Sequence, residues 1–375
     1  MTRQGMESTT RRALAVAAAL TLAALTLALA ASSAGAAVPR SFWGVGSQTP
    51  LVQKDFDQMN KGKVGTIRIP VFWSEVDQTA EPGDTNWGSI DPIIAGAASG
   101  GVRVLPFLYG MPKWVATGLD GKNCQPAKCA IRPPKSPEAL AAWETFVGEF
   151  IDRYGPQGAY WDEEYTTVPK VPIDVVQAWN EQNSNSFYAP KANPRKYAKL
   201  LGATADAVRA RDDSIDVVLG GMPQLAGSKK AIKASEYLAD LYKVAGVEDD
   251  FDGVAIHPYG ASLQKVAGQV ELFRDVIKKA RDSKASLWIT EVGAGSANGG
   301  NPLNRGRKGQ ADLLIDTFKY FRKNRNKFNI ENVDWFSWMD NTVSFCDWCK
   351  SSGLFKVGLK AKPSWRAFTK FTGGR

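Results

Sequence analysis

Histidine is nearly absent: the 375-residue chain has one, His257. That scarcity excludes a His-rich metal centre, a His pair on one helix face and any relay of several imidazoles. A Ser-His-Asp triad would have only His257 to draw on. Cysteine is sparse as well, with four residues, too few to hold a chain of this length together by disulfides alone. No phosphate loop and no Gly-x-Ser-x-Gly elbow occurs. Gly293-Ala294-Gly295-Ser296-Ala297-Asn298 approaches a dinucleotide fingerprint, but it lacks the third glycine and follows a late strand instead of the first. Chemistry is therefore left to carboxylates, lysines and tyrosines, with no cofactor and no metal expected.

What is present describes a globular protein. The chain is 44% hydrophobic and 23% charged, with 35 Gly and 12 Trp, and no linker, repeat or low-complexity segment divides it. The long apolar run is confined to the N-terminus. Arg3, Arg11 and Arg12 precede the Ala- and Leu-rich stretch Ala13–Ala31, and Ala34-Gly35-Ala36 fits a small-x-small cleavage signal. Residues 1–36 are expected to be a cleaved export peptide, with Thr10-Arg11-Arg12 leaving a twin-arginine route open, and 37–375 to be the mature domain of a secreted protein. A single membrane anchor is the alternative.

Export bears on the cysteines. Cys124 and Cys129 share one loop, and Cys346 and Cys349 share another. In an oxidising compartment two local disulfides, Cys124–Cys129 and Cys346–Cys349, are the simplest pairing, each worth about 2 kcal/mol by loop entropy. A four-thiolate zinc site is the competing reading. The formal charge is +9, but the basic runs Arg305-Gly306-Arg307-Lys308 and Arg322-Lys323-Asn324-Arg325-Asn326-Lys327 read as a solvated helix face, and no nucleic-acid partner is expected.

Short runs rich in β-branched residues alternate with helix-period segments. Strands are predicted at Ser41–Gly46, Gly65–Phe72, Val102–Leu108, Asp174–Trp179, Asp216–Gly220, Phe251–Ile256, Ser286–Thr290 and Val333–Trp338. Helices are predicted at Leu51–Asn60, Ile90–Ser99, Pro137–Tyr154, Pro194–Asp212, Lys229–Ala245, Leu263–Ser283, Lys308–Asn326 and Pro363–Phe371. The strands read as nearly continuous apolar runs, the pattern of strands buried on both faces of a parallel sheet. Eight strand–helix units predict an α/β fold, a single-domain (β/α)8 TIM barrel, with an open doubly wound sheet as runner-up.

In such a barrel the C-terminal strand ends converge on one mouth, and polar residues gather there: Trp73 and Glu75, Asn180 and Glu181, His257 and Tyr259, Glu291, then Asp340 and Asn341. Glu181 and Glu291 each follow a buried strand, where a carboxylate is costly unless solvated or paired. Two such groups suit acetal hydrolysis, in which one protonates the leaving oxygen and the other meets the oxocarbenium-like carbon.

The runs Val175-Val176-Gln177-Ala178-Trp179-Asn180-Glu181 and Trp288-Ile289-Thr290-Glu291-Val292-Gly293 resemble the (β/α)8 clan of retaining glycoside hydrolases that includes families 5 and 39. The resemblance implies Glu181 as acid/base and Glu291 as nucleophile. It implies Arg68 bonded to the nucleophile, Asn180 on the sugar 2-hydroxyl, His257 and Tyr259 as a His-x-Tyr element, and Trp338 beneath the sugar. Asn180-Glu181-Gln182 departs from the clan's Asn-Glu-Pro. Trp73, with Trp43, Trp114 and Trp348, is expected on the mouth as a sugar-stacking surface. The implied function is a secreted, monomeric endo-acting hydrolase of a β-linked polysaccharide such as a glucan or xylan. A carbohydrate-binding barrel without turnover and an exo-acting β-glycosidase are the alternatives.

Overall fold

In a computed structural model of the chain, residues 38–79, 84–163 and 166–375 are described, and Arg40–Arg375 forms one unit. The expected export peptide, Met1–Ala36, lies outside the described residues. Among them, no helix is long and apolar enough to cross a membrane.

Eight parallel strands line the unit: β1 (Trp43–Gly46), β2 (Thr66–Phe72), β3 (Arg103–Tyr109), β4 (Val175–Ala178), β5 (Asp216–Leu219), β6 (Gly253–His257), β7 (Ser286–Val292) and β8 (Ile330–Phe336). β1 pairs with both β2 and β8, and β5 meets β6 at Val218↔Gly253, so the sheet closes on itself. This is the predicted (β/α)8 barrel. Closure leaves no sheet edge, which is why near-continuous apolar strands can exist here without exposing one. Leu105, Val175, Val218, Ala255 and Trp288 pack as a cluster within it.

The outer layer consists of α1 (Gln53–Lys61), α2 (Asp91–Ser99), α3 (Pro137–Tyr154), α4 (Pro194–Arg209), α5 (Ala234–Leu241), α6 (Leu263–Lys279), α7 (Gly306–Phe328) and α8 (Pro363–Thr372). Helix starts follow local chemistry. Ser136 and Asn193 accept backbone hydrogen bonds from Ala139 and Lys196, and Pro137 and Pro194 occupy the first turn, where a missing N–H costs nothing. α5 is much shorter than the predicted Lys229–Ala245. Ala231 is drawn into bridges with Ser184 and Ser228, and Ile232 N–H bonds to the Asn183 carbonyl, so the chain there serves the β4 loop before it can coil.

Two local irregularities shape the mouth. β5 breaks at Gly220 and Gly221, then Met222–Pro223 resumes pairing with β6. A Cβ at Gly220 would lie 2.1 Å from Gln182 Oε1, and one at Gly221 2.0 Å from His257 Nε2, so only glycine lets those side chains lie flat. On β7, Ile289 pairs with Val333 and Val292 with Trp335, so one extra residue is inserted around Thr290 and Glu291. Such a bulge re-aims a side chain.

Both disulfides are local, Cys124–Cys129 and Cys346–Cys349, and among the described residues no cysteine is free. A four-thiolate zinc site is thereby ruled out for these sulfurs.

Gly44 on β1 faces Asp334 on β8 and Thr66 on β2. A Cβ there would meet Asp334 Oδ1 at 1.9 Å and the Thr66 carbonyl at 2.8 Å. Gly44→Ala is expected to destabilise the protein by about 1–3 kcal/mol through overpacking, read as a lower urea midpoint with the slope preserved. An unchanged midpoint would mean that Asp334 yields freely.

Candidate active site

Glu181 lies just past β4 and Glu291 at the end of β7, and both carboxyl groups turn into the mouth. One oxygen of each, together with a nitrogen of His257, falls within 4.8 Å of the others. Backbone geometry aims Glu181. Trp179 and Glu181 both adopt left-handed conformations, with φ of 72° and 45°. Each costs about 1–3 kcal/mol for a residue with a side chain, and the surroundings must impose it. Glu181 N–H bonds to the Gly221 carbonyl at 2.9 Å, Trp179 N–H to Leu108 at 3.0 Å, and Trp179 Nε1 to the Phe187 carbonyl at 2.7 Å.

Arg68, 3% exposed, organises the acidic pair. Its Nη1 donates to Glu291 Oε1 at 2.7 Å, its Nη2 to Asn180 Oδ1 at 2.8 Å and its Nε to Gln177 Oε1 at 2.7 Å. The Tyr259 hydroxyl donates to the other oxygen of Glu291. Glu291 is thus held by a cation and a phenol, while among the described residues the Glu181 carboxyl group has one hydrogen-bond partner, His257 Nδ1, at 3.2 Å. His257 Nε2 lies 3.6 Å from Glu291 Oε1.

The electrostatics separate the two carboxyl groups. Burial raises Glu181, and the negative charge of Glu291 raises it further, to about 8, against a smaller opposing pull from Arg68. Burial also raises Glu291, but Arg68 and the Tyr259 hydroxyl both oppose the shift. Burial and the Glu291 charge push Tyr259 well above the usual phenol range, so it keeps the proton that it donates. Burial, then Arg68, push His257 well below its usual value, so its contact with Glu181 is a neutral hydrogen bond rather than an ion pair. The carboxyl without a bonded cation is thus raised to about 8, while the rise of the one paired with the guanidinium is opposed.

Arg68, Asn180, His257 and Tyr259 therefore converge with both glutamates. Trp338 and Trp73 do not. Trp338 is fully buried, packs at a tilt against Phe355 and edge-on against Trp365, and donates to Asp55 Oδ1 at 2.8 Å, so it packs the barrel wall behind the mouth. The strand ends two residues earlier than expected, and the aromatic facing the site is Phe336, beside Tyr259 at 6.3 Å and Trp348 at 5.9 Å. Trp73 begins a one-turn helix, is buried against Trp143 and Phe146, and bonds Asp77. Trp43 stacks on Phe318 of α7, and Trp114 lies against Trp73. Of the four mouth tryptophans expected, Trp348 alone meets a site residue, with its ring 4.8 Å from that of Tyr259.

Sequence reading missed Gln177 and Phe336. Gln177 had a legible signal: a lone amide inside an apolar strand needs a buried partner. Among the described residues the only three-residue group placed to hold a metal ion is Glu181, His257 and Glu291. Arg68 already occupies and neutralises Glu291 there, which fits a cation poorly.

The family model of the glycosyl hydrolase catalytic core matches residues 144–358. The chain belongs to this family. Among solved structures, a family 39 glycoside hydrolase from Bacteroides cellulosilyticus WH2 is 17% identical with a TM-score of 0.61, covering 89% of this chain and 64% of its own. A monomeric β-xylosidase from Caulobacter crescentus CB15 is 18% identical with a TM-score of 0.64, covering 89% and 68%. A family 128 (subgroup II) endo-β-1,3-glucanase from Sorangium cellulosum is 16% identical with a TM-score of 0.52, covering 88% and 97%. At these identities the likeness is one of fold. This glycosyl hydrolase core spans less than two thirds of the length of the family 39 structure. No curated protein sequence matches it.

A carboxyl raised on folding binds its proton more tightly in the native than in the unfolded chain, whose carboxyls titrate at about 4.3. The resulting stabilisation is complete below that value and is lost as pH climbs through about 8, the folded value of Glu181. Glu181→Gln removes this dependence, so its melting temperature should gain on that of the wild type between pH 5 and pH 9. A constant difference across that range would show that Glu181 titrates normally.

Proposed function

We propose that the protein is a secreted retaining glycoside hydrolase that cleaves O-glycosidic bonds of a β-linked polysaccharide by double displacement. Glu181 is the acid/base and Glu291 the nucleophile. The observation that carries this reading is the carboxyl pair, with oxygens within 4.8 Å and a single guanidinium bonded to Glu291. Retaining enzymes place the two groups about 5–5.5 Å apart, whereas inverting ones need about 6.5–9.5 Å to admit a water.

In the first step Glu181 gives its proton to the glycosidic oxygen while a Glu291 oxygen bonds to the anomeric carbon and the leaving sugar departs. The ester that forms removes the charge of Glu291. Glu181 then loses one of the two influences that raise it, stays ionised after giving up its proton, and in that form takes a proton from the water that attacks the anomeric carbon. That attack frees Glu291. Asn180, fixed through its Oδ1 by Arg68, keeps its amide N–H groups for a sugar hydroxyl.

The fold neighbours include a β-xylosidase and an endo-β-1,3-glucanase, which supports a β-linked substrate. The two disulfides suit an extracellular setting. Endo action on a glucan- or xylan-like chain by a monomer is the working assignment. Product lengths from β-glucans, xylan and mannan test it, because an exo enzyme releases only one short product and a pure binder releases none.

Glu181→Gln should lose about 10²–10⁴-fold on substrates with a sugar leaving group and far less on an aryl glycoside whose leaving group needs no proton. Equal losses on both would remove Glu181 from the acid role. In time-resolved NMR the first-formed sugar should keep its anomeric configuration; an inverted product would end the retaining assignment. Activity of the wild type should fall as pH rises through about 8, where Glu181 surrenders its proton, and fall again in acid as Glu291 is protonated. A rate still rising above pH 9 would contradict the acid assignment.

A further inference from the structure

Phe345 is 88% exposed, an unusual position for a large ring. It sits in the loop after β8, one residue before Cys346, and the Cys346–Cys349 bond holds that loop to Trp348. The loop base is fixed as well. Gln48 Nε2 donates to the Cys349 carbonyl at 2.8 Å, and Asn341 Nδ2 donates to the Gln48 carbonyl at 2.9 Å. From this stapled base the Phe345 ring reaches Phe187, with centroids 6.4 Å apart.

Phe187 belongs to the loop after β4, and β4 and β8 stand on opposite sides of the eight-stranded barrel. The ring pair therefore joins loops that leave opposite walls of one mouth. Phe187 is tied to the Glu181 segment, because its carbonyl accepts from Trp179 Nε1 at 2.7 Å and from the Tyr109 hydroxyl at 3.3 Å. On the other side, Trp348 rests on Tyr259, the phenol bonded to Glu291. Aromatic rings thus stand on both the Glu291 side and the Glu181 side, carried on the β8 side by one stapled loop, and Phe345 is the most exposed of them.

We propose that Phe345 and Phe187 form a stacking platform for the sugar on the leaving-group side of the scissile bond, which makes Phe345 a specificity-determining residue. This rests on the proposed hydrolase reading. The acid protonates the leaving oxygen, so the departing sugar lies on the side of Glu181, where Phe187 is anchored. Sugar rings carry an apolar C–H face that packs on an exposed aromatic ring, and an enzyme that must hold a leaving chain needs such a surface there. A platform of this kind distinguishes substrates by what leaves and is silent about the sugar that becomes attached to Glu291.

The test uses the full-length wild type, Phe345→Ala and Val343→Ala. Val343 is in the same loop and equally exposed, at 88%, but makes no ring contact. The probes are the tetrasaccharide of β-linked glucose, xylose or mannose that the wild type cleaves fastest, and the glycosyl fluoride of the same sugar, which has no leaving sugar to hold. For Phe345→Ala the ratio of kcat/KM on the tetrasaccharide to that on the fluoride should fall about tenfold, mostly through KM. Transfer of the fluoride-derived glycosyl group to an added disaccharide acceptor should fall with it. Val343→Ala should move the ratio by less than about twofold. An unchanged ratio in Phe345→Ala overturns the proposal, as does a parallel loss on both substrates. So does a ratio that holds while concentration-dependent self-association disappears, since the ring then serves a second copy of the chain. Absence of turnover by the wild type on both probes would instead overturn the hydrolase reading.

Discussion

Arg68 has N–H groups to satisfy in the dry interior of the barrel, and it spends them on three different side chains. Nε goes to Gln177 and Nη2 to Asn180, both from the β4 segment, and Nη1 goes to Glu291 on β7. The residue itself comes from β2, so one planar group sets the spacing of three walls of the mouth. A guanidinium suits this because its donors lie in a fixed fork; a lysine ammonium could neutralise Glu291 but could not orient Asn180 and Gln177 at the same time. Removing one partner of such a buried pair costs about 3–5 kcal/mol, so the geometry of the acidic pair and the stability of the barrel are bound together.

Around this fork the two glutamates differ through their neighbours alone. Glu291 faces Arg68 and Tyr259, and Glu181 faces a neutral imidazole. Glycine makes the imidazole fit. The break at Gly220 and Gly221 clears space for Gln182 and His257, and the Gly221 carbonyl anchors the left-handed Glu181 backbone. The protein accepts an interrupted strand and two strained residues at the place where, on the proposed mechanism, the proton donor is held.

The barrel was legible in the sequence because the strands read as nearly continuous apolar runs, five of them with a polar exit, and Pro137 and Pro194 marked helix starts through local chemistry alone. Glu181 and Glu291 were legible for a related reason, since a carboxylate directly behind a buried strand demands a partner. The aromatic residues were harder. Trp338 and Phe336 stand two positions apart, and which of them faces the mouth depends on where β8 ends. Trp73 was hidden by a single helical turn that carries it behind the wall. The β7 bulge and the positive φ angles of Trp179 and Glu181 leave no mark in composition or periodicity, because long-range pairing imposes them.

The pairing of Arg68 with Glu291 also has a consequence for the time course of a turnover. On the proposed mechanism, the carboxylate that balances the guanidinium is consumed as an ester, and the balancing charge passes to Glu181, which has just given up its proton. A guanidinium with no counter-charge in a water-poor cavity would be costly. Arg68 therefore favours the anionic form of Glu181 while the sugar is attached, the form that must deprotonate the incoming water. One fixed cation thus faces a carboxylate in both states, Glu291 at rest and Glu181 in the covalent state, and the negative charge crosses the mouth once in each direction during a turnover.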